Sequence, residues 1–131
     1  METGSLTFSS MNKRILVIDD DDLVRKSVQR VLATAGYNVT SAQDANQAID
    51  EIKKQDFNLI VSDIRMPGKN GVETVREIRK IVSQHSPKDI PIIFITAYAD
   101  TSEQLGAELL GEVIIKPFDL DHLLITVTEY L

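Results

Sequence analysis

The chain has 131 residues, of which 43% are hydrophobic and 26% charged, the composition of one globular domain around a single core rather than of a disordered tail. Its 20 acidic and 14 basic side chains leave a net charge of −6, which argues against nucleic acid as a direct partner because phosphate contacts need a basic surface. The lack of cysteine excludes disulfides, thiolate metal sites and cysteine nucleophiles and fits a reducing, cytoplasmic setting, while no apolar run approaches the roughly 20 residues of a membrane span.

The first dozen residues, METGSLTFSSMN, have neither a basic start nor a long apolar stretch. Residues 1–12 therefore read as a flexible leader, native or vector-derived, with Met11 a candidate start, and residues 13–131 as the domain. RILVI, residues 14–18, is a short β-branched run of the kind buried on both faces of a sheet. Leu23, Val24, Val28, Val31, Leu32 and Ala35 then recur at helical spacing, with Gly36 as the stop and Asp21 and Asp22 as acidic residues suited to the helix start. YNVTS (37–41) is a weaker strand, and Ala45, Ala48, Ile49 and Ile52 form the stripe of a second helix.

NLIVS (58–62) is a third strand leading to Asp63. The turn residues Pro67, Gly68, Asn70 and Gly71 follow, and then a helix over 72–82 marked by Val75, Ile78 and Val82. PIIFI (91–95) is a fourth strand ending before Thr96; a polar stretch leads to a short helix over 102–110; EVIIK (112–116) is a fifth strand closed by Lys116. Asp119 caps a last helix through Leu123, Leu124 and Val127. His85 and His122 fall on helix surfaces and carry no assigned role.

Five strands alternating with five helices make βαβ units, whose right-handed crossovers give a parallel sheet with helices on both faces. Ligands of such sheets bind beyond the carboxyl ends of the strands. Asp19 and Asp20, Asp63, Thr96 and Lys116 all stand at strand ends, and the fold brings them to one edge. Three carboxylates converging there repel one another unless a cation sits among them, and an all-oxygen set favours Mg²⁺, with Mn²⁺ or Ca²⁺ as substitutes, over zinc. A metal-bound carboxylate, a hydroxyl and an ammonium around one point suit a phosphoryl group, with Asp63 as the nucleophile.

The stretches ILVIDD, LIVSDIRMPGKNG, IFITA and IIKPF resemble, in order and spacing, the motifs of response-regulator receiver domains of the CheY-like superfamily, over about residues 13–131. The resemblance implies a flavodoxin-like, doubly wound (βα)5 sandwich with strand order 2-1-3-4-5. It implies Asp63 as phosphoacceptor and second carboxylate ligand of Mg²⁺, Asp20 as direct metal ligand, Asp19 as a ligand through water, and the backbone carbonyl of Arg65 as the remaining protein ligand. Thr96 matches the hydroxyl that moves to meet the phosphoryl group, and Lys116 the cation that pairs with it, with a cis Lys116–Pro117 bond. A histidine kinase or phosphotransfer protein is the implied donor, and the domain catalyses only its own phosphorylation and dephosphorylation. The face of the fourth helix, fifth strand and fifth helix is the implied site for an output domain, a downstream protein or a second copy.

Two departures stand out. Val113 occupies the place, three residues before the lysine, where the family usually carries Tyr or Phe. Arg65 and Tyr98 are bulky at positions that in the family tune hydrolysis, which leads to an expectation of slow self-dephosphorylation. Two other readings compete. A degenerate receiver would bind partners without phosphorylation; a haloacid-dehalogenase-like phosphatase would use the Asp-x-Asp pattern within Asp19 to Asp22, but it leaves Asp63 unexplained and the chain offers little room for a cap.

Overall fold

The computed structural model describes residues 13–86, 88–97, 102–115 and 119–131, with the backbone alone for 102–105. Its elements alternate without exception: β1 Arg14–Ile18, α1 Asp22–Thr34, β2 Asn38–Ala42, α2 Ala45–Lys54, β3 Leu59–Asp63, α3 Gly71–Ser83, β4 Ile92–Thr96, α4 Ser102–Leu110, β5 Glu112–Ile115 and α5 Leu120–Tyr130. All strand pairings are parallel and the order is β2-β1-β3-β4-β5, the flavodoxin-like arrangement.

Parallel strands covered on both faces should be apolar throughout, and every residue of β3 and β4 is buried, whereas the edge strand β2 is largely half-buried. Alternate residues of each strand feed two separate core layers. Leu16, Ile18, Ile60, Ile92 and Phe94 pack with Ala48 and Ile49 of α2, Val72, Val75 and Ile78 of α3 and Ala107 of α4. Ile15, Val17, Leu59, Val61, Ile93 and Ile95 pack on the other side with Val28 and Leu32 of α1 and Leu123 and Val127 of α5. Helices α2 to α4 therefore cover one face and α1 and α5 the other.

The helix ends carry the residue types their unsatisfied backbone groups call for. Asp21 accepts from the amides of Leu23 and Val24 at the start of α1, Asp44 from Gln47 at α2, and Asp119 from Asp121 at α5. Gly36, at φ 100°, takes the left-handed conformation that ends α1. At the other end of α4, Nη2 of Arg79 on α3 donates to the Leu110 carbonyl at 2.8 Å. The Tyr130 hydroxyl donates to Glu112 at 2.8 Å, tying the end of α5 to β5, and this bond holds the phenol above its ordinary pKa. Among the described residues no helix is long and apolar enough to cross a membrane.

Strands β2, β3 and β4 each lie one residue later than their apolar runs predict. The ladder extends to any residue opposite a paired neighbour, whatever its polarity: Asp63 pairs with Ile95 and Thr96 with Ile115. The two polar residues are thus the last rungs of their strands, which fixes their backbones more tightly than a loop would. Among the described residues the fourth helix is the shortest, at 9 residues.

Phe94 is fully buried in the middle of the sheet. Phe94→Ala is expected to cost about 3–5 kcal/mol, read as a lower urea midpoint with an unchanged m value by far-UV circular dichroism.

Candidate functional site

The register of the two central strands builds the site. Ile18 of β1 pairs with Ser62 of β3, so the next residues, Asp19 and Asp63, stand level at the carboxyl edge. The Asp19 amide donates to the Ala42 carbonyl at 3.1 Å, carrying the β1 ladder with β2 one step beyond the strand. Asp20 follows in the turn before α1. One carboxylate oxygen from each of Asp19, Asp20 and Asp63 lies within 4.8 Å of the others. Asp19 is fully buried and Asp63 6% exposed, while Asp20 is exposed, so the acidic group is a recess that opens at Asp20.

Backbone amides orient the two buried carboxylates. Oδ1 of Asp19 accepts from the Asp21 amide at 2.9 Å, and Oδ1 of Asp63 from the Ile64 amide at 2.8 Å. The donors are hard oxygens, with no histidine or cysteine in the group, a set that suits Mg²⁺ rather than zinc.

The loop after β3 is held shut at its base. The Gly71 amide donates to the Ile64 carbonyl at 2.7 Å, and a Cβ on Gly71 would fall 1.9 Å from the Asp63 carbonyl oxygen. No side chain fits there. Asn70 and Glu73 form a reciprocal capping box, Glu73 amide to Asn70 Oδ1 at 2.9 Å and Asn70 amide to Glu73 Oε1 at 3.1 Å. Lys69 is ion-paired with Glu77 one turn further on. Arg65, exposed, joins Met66, Pro67, Gly68 and Asn70 around an open depression of about 390 Å³. The first turn of α1 contributes Arg25, whose Nη1 donates to the Asp19 carbonyl at 2.9 Å and Nη2 to Asp22 at 2.5 Å. The guanidinium holds the Asp22 carboxyl below its ordinary pKa.

The structure therefore brings Asp19, Asp20 and Asp63 together and sets Arg65 two residues beyond them. Thr96 is buried at the end of β4, the strand next to Asp63, and its neighbour in the ladder is Ile115. Lys116, the Lys116–Pro117 bond, Phe118 and Tyr98 lie outside the described residues, as do residues 1–12. Val113 is half-buried, pairs with Phe94 and packs on the core layer under α2 to α4. Asp21 and Asp22 serve α1 as cap and first-turn acid, and His85 and His122 are exposed. Two contributors were not visible in the sequence. Gly71 reads there as one more turn glycine, and Arg25 as half of an ordinary Asp–Arg pair three apart on a helix; neither spacing reveals a contact with the backbone of a site aspartate.

A family model described as "Response regulator receiver domain" matches residues 15–128. The chain is 38% identical over 116 residues to Response regulator MprA of Mycolicibacterium vanbaalenii, covering 87% of this chain and 48% of that protein. It is 34% identical over 122 residues to Transcriptional regulatory protein ZraR of Escherichia coli, covering 92% of this chain and 26% of that one. The chain thus spans less than half the length of these relatives. Among solved structures it is similar to the chemotaxis protein CheY4 of Vibrio cholerae, with TM-score 0.80, 31% identity, and 91% and 98% of the two chains covered. It is also similar to the response regulator TrrA of Thermotoga maritima in complex with Mg²⁺-BeF, with TM-score 0.78, 34% identity, and 91% and 99% covered.

Gly71→Ala is expected to cost about 1–3 kcal/mol by forcing the Asp63 backbone aside. The amide chemical shifts of Asp63 and Ile64 should move with it; a variant of unchanged stability and spectrum would show that the close approach is dispensable. Asn70→Ala, which removes the cap alone, should cost about 1 kcal/mol by thermal melting.

Proposed function

The chain belongs to the response regulator receiver domain family, and on that premise we propose that it is a two-component signalling switch in which Asp63 accepts a phosphoryl group. The observation that carries the residue assignment is the meeting of Asp19, Asp20 and Asp63 at the end of β1 and β3. Residues 13–131 are the switch domain, working in the cytoplasm.

Asp20 and Asp63 would hold a magnesium ion directly and Asp19 through water, with the Arg65 carbonyl completing the protein's share; Mn²⁺ or Ca²⁺ would serve in its place. When bound, the ion neutralises charge on the phosphoryl oxygens. A carboxylate oxygen of Asp63 attacks the phosphorus of a phosphohistidine on a kinase or phosphotransfer protein. The O–P bond forms as the P–N bond breaks, and the released imidazole takes up a proton. Because Asp63 is the last rung of β3, its carboxylate is presented on a rigid element, which favours in-line attack. Lys116 pairs with a phosphoryl oxygen and the Thr96 hydroxyl donates to another.

Receiver domains are not turnover enzymes in the ordinary sense; here the protein acts on itself, forming and losing its own acyl phosphate. Phosphorylation favours a state in which Thr96 moves inward and α4, β5 and α5 are remodelled for an output domain, a downstream protein or a second copy. Leu109, Ile115 and Ile125 are exposed apolar residues on those elements, and the first of them is 85% exposed. Val113 packs into the core as an aliphatic side chain, so any inward movement of Thr96 is passed on without a rotating ring.

Acetyl phosphate with Mg²⁺ should label the chain with one phosphoryl group, and Asp63→Asn should abolish it. Beryllofluoride should bind only with Mg²⁺ present. Labelling that survives Asp63→Asn, or turnover of a generic phosphate monoester, would overturn the assignment, and a chain inert to both reagents would be a degenerate receiver. The Arg65→Asn, Tyr98→Ala double variant should lose its phosphoryl group faster than the parent, read by phosphoprotein gel electrophoresis; a longer-lived variant refutes the shielding role.

A further inference from the structure

The acidic recess is asymmetric in how it is held. Asp63 belongs to a central strand and Asp19 extends one, but Asp20 is the exposed member on a turn between β1 and α1. A turn of this length has conformational freedom that the ladder does not remove, and an ion that prefers near-ideal octahedral geometry is sensitive to that freedom. Beside the local bonds of Asp19 and Asp21, a side chain from α1 bridges the turn. The Arg25 guanidinium donates from Nη1 to the carbonyl of Asp19 and from Nη2 to the carboxylate of Asp22, the residues on either side of Asp20 and Asp21. Its side chain is only 12% exposed, so the fork lies pinned against the protein rather than waving from the helix. A planar guanidinium can reach two acceptors at once in fixed directions; an ammonium on the same stem cannot.

We infer that Arg25 is a positioning residue for the divalent ion: by bridging Asp19 and Asp22 it fixes the turn that presents Asp20. This rests on the receiver reading, in which Asp20 is a direct ligand. Two effects of Arg25 oppose each other. Its positive charge beside an acidic group repels a cation, so its removal by itself would tighten binding. Its bridge preorganises the ligand turn, so its removal would loosen binding. The bridge dominates, because Nη1 spends its bond on a backbone carbonyl and Nη2 on the exposed Asp22, placing the charge behind the turn rather than among the ligands.

Magnesium affinity measured by isothermal titration calorimetry at constant ionic strength separates these effects. Arg25→Met, which loses charge and bridge, and Arg25→Lys, which keeps the charge and loses the two-acceptor fork, should both weaken binding, by about tenfold as for other supporting contacts of metal ligands. In metal-free protein, hydrogen exchange at the Asp21 amide, which donates to Asp19, should speed up in both variants. Tighter binding in Arg25→Met with Arg25→Lys unchanged would mean that charge rules and would overturn the inference. A lowered melting temperature with parental magnesium affinity would overturn it too, leaving a purely structural pair. The lysine variant, which preserves the buried stem, keeps the comparison valid if the methionine variant fails to fold. Should the parent chain itself bind no magnesium, the receiver reading falls with the inference; should the parent bind and both variants match it, only the inference falls.

Discussion

The parallel register of β1 with β3 is the constraint on which the site depends. Pairing Ile18 with Ser62 brings two buried aspartates level at the point where both strands run out. Buried carboxylates a few ångströms apart are electrostatically costly, and the protein offsets the cost with backbone amides on Asp19 and Asp63 and with an opening at Asp20 through which a cation and its water can enter. The central strands are apolar on both faces, so their hydrophobic pattern alone does not fix the register; the strand-end aspartate does, since a one-residue shift would put Asp63 into a core layer and Ile64 at the rim.

Around this rigid edge the connecting segments are tied down individually. Gly71 closes the loop after β3 directly onto the Asp63 backbone, and the Asn70–Glu73 box starts α3 at that spot, so the helix cannot shift without pulling on the aspartate. Arg25 does the corresponding work for the turn after β1. Both devices grip the main chain beside a site aspartate and so set where the acidic side chains begin.

The face made by α4, β5 and α5 has a different character. It carries the shortest helix, exposed apolar side chains and an edge strand, features of a region with fewer packing constraints than the centre of the sheet. Among the described residues, Arg79 moors the end of α4 and Tyr130 bonds Glu112 at the start of β5.

Much of this was legible in one dimension because the signals are local. Apolar runs of five residues bounded by turns mark buried parallel strands, helical stripes mark the covering helices, and the βαβ alternation then sends strand-end residues to one side. Asp19, Asp20 and Asp63 could be grouped on that basis, and the caps at Asp21 and Asp119 follow from residue type and position. The ends of β3 and β4 could not be located, because a ladder recruits Asp63 and Thr96 by what stands opposite them and not by their own polarity, whereas β1 lies where its apolar run places it. Nor could the grip of Arg25 on a carbonyl six residues back, or the 1.9 Å approach that leaves no side chain possible at Gly71. The sequence by itself determined which residues reach the rim, since hydrophobic period and chain direction are properties of neighbours along the chain. How firmly they are held there was decided only by the tertiary structure, since backbone atoms from separate segments meet through packing that no spacing encodes.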